Sequence, residues 1–189
     1  MGNVIIGATI SLDGFMSDRN GDLSLLYPDL EALGQTEMLR EEIRATGAVV
    51  MGRRLFDVVD GPDGWNDDVG YGYDQDQSAA PLCYVVTHEP PAQVRLGPRF
   101  RFVTAGVAAA VEQARATAGD KDVVVRGGAN VIDQCLAEGL VDVLTIHLSP
   151  LLIGGGTRLF DLTGPTTLVQ RSVVESPRAT HLTYDVVRG

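Results

Sequence analysis

The stretch Val123-Val124-Val125-Arg126-Gly127-Gly128-Ala129-Asn130-Val131-Ile132 decides how this chain is read. Its three valines read as a buried strand. The glycine pair breaks the run, and Val131, Ile132, Cys135 and Leu136 continue at helical spacing. Paired glycines let the backbone come close to another group and leave the amides of the following helix start open. Those amides and the helix dipole behind them favour an anion, most often a phosphate. The same residues equally suit a tight strand-to-helix turn, so the surrounding chain has to decide.

Working outward, apolar runs alternate with helical patterns. Val4 to Ile10 reads as a first strand, near-continuously apolar as in a sheet covered on both faces. A polar loop from Ser11-Leu12-Asp13-Gly14 runs to about Tyr27. Pro28 then suits the first turn of a helix striped by Leu30, Leu33, Met38, Leu39 and Ile43. Ala48 to Met51 is a second strand, followed by Gly52-Arg53-Arg54 and a short helix. Residues 60–80 read as an irregular flap rich in Gly, Asp and Tyr. Leu82 to Val86, Arg99 to Val103 and Val123 to Val125 are further strands, with an alanine-rich helix from Val107 to Thr117. The helix after the glycine pair runs to Glu138, and Val141 to Leu148 is a sixth strand. Thr167 to Val174 and His181 to Val187 read as a closing antiparallel pair.

Composition excludes several classes. The 189 residues are 44% hydrophobic with a net charge of −10, which fits one globular domain and argues against a nucleic-acid partner. Much of the acid, Asp57, Asp60, Asp63, Asp67, Asp68, Asp74 and Asp76, lies in one segment that reads as a solvated loop. No apolar stretch approaches a membrane span, and the N-terminus lacks a signal pattern, so a cytoplasmic protein without a membrane partner is expected. Cys83 and Cys135 each fall in an apolar element and read as buried thiols, not as a disulfide. No metal is expected. No His/Cys cluster has zinc spacing, and Asp18-Arg19-Asn20-Gly21-Asp22 opens like a calcium loop but has Leu23 and Asp29 where glycine and glutamate are needed.

A Rossmann fingerprint would follow the first strand, where Ser11-Leu12-Asp13-Gly14 does not fit it. Four segments in order point elsewhere. They are Val50-Met51-Gly52-Arg53-Arg54-Leu55-Phe56, Tyr84-Val85-Val86-Thr87-His88, Arg126-Gly127-Gly128-Ala129-Asn130, and Leu151-Leu152-Ile153-Gly154-Gly155-Gly156-Thr157-Arg158-Leu159-Phe160. Over nearly the whole chain this order resembles the dihydrofolate reductase family, and within it the C-terminal reductase domain of the bifunctional riboflavin-biosynthesis protein.

The resemblance implies an α/β fold: a dihydrofolate reductase-like three-layer sandwich, with a mainly parallel central sheet and antiparallel C-terminal strands. It also implies a single domain over residues 1–189, NADPH as cofactor, a small-molecule substrate and a homodimer. The backbone of Ala8 and Thr9 would lie near the nicotinamide carboxamide. Gly52, Arg53, Arg54 and Leu55 would meet a phosphate, and Thr87 and His88 the adenosine end. Gly127 and Gly128, joined by a bond that is usually cis in this family, would face the pyrophosphate, with the amides of Ala129, Asn130 and Val131 behind them. The arginines also carry an argument of their own. Positive charge at a helix start gains nothing from the dipole, which points to an anionic ligand, though a solvated surface pair is the alternative.

The chain departs from the folate reductases in two places. Their helix carboxylate falls on Thr36, with Glu37 one residue on, so dihydrofolate is not indicated. Their aliphatic residue before the glycine pair is Arg126, which suits a substrate phosphate or carboxylate, or equally an ion pair. Gly155 and Thr157 lie in a segment that resembles the one handling the substrate phosphate in the riboflavin-type enzymes, though its three glycines equally suit a plain bulge. Asp13, at the start of the loop that closes over the ring, and Glu37 are the catalytic candidates. The zinc signature of a deaminase half does not occur. The expected activity is hydride transfer from NADPH to a C=N or C=O of a small heterocycle such as a pterin or pyrimidine. The alternative is a non-catalytic NADP(H)-binding protein.

Overall fold

The computed structural model describes residues 2–27, 37–66, 70–71 and 80–187. The helix start at Pro28, the stripe positions Leu30 and Leu33, and the candidate Thr36 lie outside them, as does much of the flap. Ten strands and four α-helices are described. In chain order they are β1 (Val4–Ser11), β2 (Phe15–Ser17), α1 (Glu37–Ala45), β3 (Thr46–Gly52), α2 (Arg53–Val59), β4 (Leu82–Val86), β5 (Phe100–Val103), α3 (Val107–Ala118), β6 (Asp122–Gly127), α4 (Ala129–Ala137), β7 (Val143–Ser149), β8 (Thr157–Arg158), β9 (Leu168–Ser176) and β10 (Ala179–Val186). The chain forms two compact units, Met1–Gly2 with Asp29–Val124 and Asn3–Pro28 with Val125–Gly189.

In the first unit β3, β4 and β5 are parallel neighbours, with Val49 opposite Cys83 and Val85 opposite Phe102. Parallel strands buried on both faces explain their near-continuous apolar runs. Val49, Met51, Phe56, Val59, Tyr71, Cys83, Val85 and Phe100 form the core. There Phe56 meets Phe100 and Phe102 edge-on, with ring centroids 5.0 and 5.1 Å apart. Helix α3 buries Ala110, Ala114 and Ala118 and packs on β3 and β4. A Cβ on Gly47 would come within 2.8 Å of Ala118, so small residues on both sides permit this close approach. The start of the expected flap is pinned in place. Arg95 Nε donates to Asp60 O (2.9 Å) and its Nη2 to Gly61 O (2.9 Å), while the Leu96 amide donates to Asp60 Oδ1 (2.9 Å).

In the second unit β1 and β7 run parallel from Ile5–Val143 to Ser11–Ser149. Strand β10 pairs antiparallel with β7, and β9 with β10. This is the expected α/β architecture, a mainly parallel sheet with antiparallel C-terminal strands. Helix α4 buries Val131, Ile132, Cys135 and Leu136, the stripe legible in the sequence. It also buries Asp133, whose carboxylate accepts from the Leu162 amide (3.1 Å) and from Thr163 Oγ1 (2.6 Å). A small ribbon of β2 and β8 completes the unit.

Candidate functional site

In a parallel sheet, ligands bind beyond the carboxyl ends of the strands. In the first unit these ends coincide: Gly52 is level with Val86, and Val86 with Val103. Gly52, Arg53, Thr87 and His88 are thereby brought together. The Thr87 amide donates to Val103 O (3.1 Å), and its hydroxyl to Glu89 O (2.8 Å). Arg53 donates to the same Glu89 carbonyl from Nη1 (2.9 Å) and to Asp57 Oδ1 from Nε (2.7 Å). Much of its guanidinium is thus engaged in holding α2 to the loop after β4. Arg54 is exposed and makes no hydrogen bond or ion pair with any described residue. His88 is exposed, and Leu55 packs against the core. A cavity of about 180 Å³ in this unit, lined in part by Trp65, Tyr71, Pro81 and Phe100, lies at the amino ends of β4 and β5, the wrong edge for such a ligand.

In the second unit the glycine pair stands where β6 becomes α4. Gly127 has φ +107°, a conformation that side chains rarely adopt, and its peptide bond to Gly128 is cis, as the family resemblance implied. Gly128 caps α4 without any side-chain hydrogen bond, and a Cβ built on it would meet nothing within 4 Å. The helix ladder begins at the Val131 amide, which donates to Gly128 O at 3.0 Å. Val131 therefore uses its amide within the helix, while the amides of Ala129 and Asn130 precede the ladder. Ala8 and Thr9 are level with Ile146 and His147 of β7.

The two catalytic candidates are otherwise engaged. Asp13 accepts from Ser11 Oγ (2.6 Å), from the Ile153 amide (3.1 Å) and from the Gly154 amide (2.7 Å). The Ser11 hydroxyl and these amides hold its carboxyl down at about 2, so it is an anchored anion that joins the turn after β1 to the triple-glycine loop. Glu37 is exposed on α1, 2.5 Å from Arg44 Nη2 and 3.8 Å from Arg40 Nη1. The triple-glycine loop is tight for a local reason. Gly156 has φ +141°, and a Cβ there would overlap Ser17 O at 2.0 Å, while one on Gly155 would come within 2.6 Å of Arg19 Nε. Thr157 is exposed on β8.

One pair escaped the sequence. His147 of β7 and His181 of β10 face each other with Nδ1 to Nδ1 at 2.7 Å. Burial, helped by the charges of His181 and Arg126, pushes His147 down to about 4, and burial also lowers His181. Burial raises both thiols, Cys83 and Cys135, to about 12, which leaves them inert. No group of three or more metal-binding side chains occurs among the described residues, and none of their helices is long and apolar enough to cross a membrane.

The family model described as the RibD C-terminal domain matches residues 3–182. The uncharacterized protein YyaP of Bacillus subtilis (strain 168) is 24% identical over 165 residues, 83% of this chain and 79% of that protein. Among solved structures, a riboflavin-biosynthesis candidate from Shewanella sp. PV-4 matches with a TM-score of 0.77 at 21% identity, covering 98% of this chain and 99% of that one. The Thermotoga maritima diaminohydroxyphosphoribosylaminopyrimidine deaminase/5-amino-6-(5-phosphoribosylamino)uracil reductase matches with a TM-score of 0.66 at 18% identity. There the match covers 98% of this chain but 57% of the bifunctional protein.

Proposed function

This chain belongs to the RibD C-terminal domain family, and from that premise we propose that it is an NADPH-dependent reductase. It passes a hydride to a C=N or C=O of a small pyrimidine- or pterin-like substrate. The observation that carries this reading is the Gly127–Gly128 junction: a start to α4 with no side-chain cap, and open space where a side chain on Gly128 would stand. A pyrophosphate needs that access and those amides.

The residues present suit the cofactor. Ala129 and Asn130 offer amides to the pyrophosphate, and Arg54 offers a guanidinium with no protein partner among the described residues to the ribose 2′-phosphate, which distinguishes NADPH from NADH. The backbone of Ala8 and Thr9 holds the carboxamide, and Gly52, Thr87 and His88 flank the adenosine end. The nicotinamide supplies the hydride chemistry when bound, while the chain binds, orients and excludes water. Arg126 receives an anionic group of the substrate, and Gly155 and Thr157 are further candidates for its phosphate. Residues 1–189 act as a single domain, supported by one family model running across both units.

Isothermal calorimetry with NADPH and NADP⁺ tests the cradle. Single-turnover NADPH oxidation with 5-amino-6-(5-phosphoribosylamino)uracil, pterins and quinonoid compounds tests the reaction. The surface pairing of Glu37, the nearest described carboxylate to the folate reductases' helix position, favours one rival, a protein that binds NADP(H) without turning it over. Tight binding with no turnover of any compound decides for that rival.

We also infer a homodimer. Leu168, Val169, Val173 and Val174 of β9 are exposed, an apolar patch short of Ser176 that a second copy would cover. Sedimentation of the full chain and of Val174→Glu checks this, with a dimer expected for the first and a monomer for the second. The two buried free thiols suit a reducing, cytoplasmic location.

A further inference from the structure

Reduction of a C=N or C=O bond requires a hydride at carbon and a proton at the heteroatom. Asp13 is held ionised by its three donors, and Glu37 is paired on the surface. The second unit holds another source. Thr9, His147 and His181 are successive register partners across β1, β7 and β10, so their side chains share one face of the sheet. On this face Thr9, Thr145 and His147 are half-buried, while His181 is buried.

Two imidazole nitrogens 2.7 Å apart share a single proton, one ring donating and the other accepting. At the far end, His181 Nε2 lies 3.1 Å from Ser176 Oγ, on an exposed residue of β9. At the near end, His147 Nε2 makes no hydrogen bond with any described residue, yet it is not a sealed, unpaired atom. His147 stands on the face that carries Thr9. A continuous path of exchangeable protons therefore runs from solvent at Ser176 to His147 Nε2.

We propose that His147 and His181 form a proton relay, with His147 Nε2 delivering the proton that accompanies hydride transfer and Ser176 forming its solvent end. The proposal rests on the reductase reading above. The Nε2–H bond of His147 breaks as an N–H or O–H bond forms on the substrate, whose carbon takes hydride from the reduced nicotinamide. His147 Nδ1 takes the proton of His181 Nδ1. His181 Nε2 takes one from the Ser176 hydroxyl, which turns from the Ala179 carbonyl (3.1 Å) to donate it and regains a proton from water. Both rings are neutral before and after. The groups weighing against a charged His147, namely Arg126 of β6 and His181 of β10, therefore do not oppose the transfer.

Histidine-selective ¹⁵N spectra of the free full chain, from about pH 5 to about pH 8, test the pair without cofactor. At about pH 8 the expected result is two neutral rings sharing one Nδ1 proton. A charged ring at neutral pH, or two Nε2 protons with unshared Nδ1 atoms, would overturn the relay. With NADPH and whichever panel compound the wild type reduces, His147→Ala should lower the single-turnover rate roughly 100-fold. Its NADPH affinity should stay unchanged, and added imidazole should restore part of the rate. A smaller loss is expected for His181→Phe. An undiminished rate in His147→Ala sinks the relay. Failure of the wild type to bind NADPH, or to reduce any panel compound, sinks the reductase reading instead, and the spectra still decide whether the pair is built as described.

Discussion

Arg53 and Arg54 are neighbours in sequence with different partners. Arg53 is tied to Asp57 and to the Glu89 carbonyl, while Arg54 faces solvent with no partner among the described residues. Arg54→Ala is therefore expected to weaken NADPH binding about tenfold, or about 1.4 kcal/mol, with little change for NADH and none in melting temperature. Calorimetry with both dinucleotides reads this, and equal losses for the two would place the 2′-phosphate elsewhere. Gly127 is constrained by its backbone conformation. With φ at +107°, an L-residue is strained there whatever the space, so Gly127→Ala should lose at least about 1–2 kcal/mol in urea denaturation. Asp13 and Glu37 show how residue type alone misleads. Both are carboxylates where chemistry needs one, and both have partners that assign them to local structure.

At the level of elements, the strands around the glycine pair were legible because periodicity and glycine placement are local signals. Val123–Val125, the alanine-rich helix from Val107 and the closing antiparallel pair all fall where the sequence implies. Features that join distant elements were not legible. His147 and His181 are 34 residues apart, and each reads alone as an ordinary strand position, so only the β7–β10 register makes them a pair. Asp133 reads as a polar break in an apolar helix, yet it ties α4 to residues 162 and 163. Arg95, within an unremarkable loop, pins Asp60 and Gly61. Replacing Asp133 by Ala leaves the Leu162 amide and the Thr163 hydroxyl without their acceptor. The expected loss is about 1–3 kcal/mol in chemical denaturation, and no change would mean that water substitutes for the carboxylate.

For the whole molecule, stability should depend on pH in a defined window. His147 stays neutral in the folded chain down to about 4, whereas an ordinary imidazole takes its proton near 6.5. Between those values the unfolded chain binds more protons, so stability falls as pH drops from about 6.5 to about 4, by something of the order of 3 kcal/mol. Urea midpoints across that range should show the fall in the wild type and a flatter profile in His147→Leu. Asp13, held at about 2 against an ordinary 3.8, contributes stability above the higher value that is lost only as pH falls toward the lower. The proposed reading depends above all on NADPH binding, with the pyrophosphate at the glycine junction. Calorimetry of the full chain with NADPH, and with NADH alongside, tests it most directly. NADPH is expected to bind at roughly micromolar Kd, about −8 kcal/mol, with NADH weaker. No heat with either dinucleotide would contradict it and leave Gly127-Gly128 as nothing more than a turn.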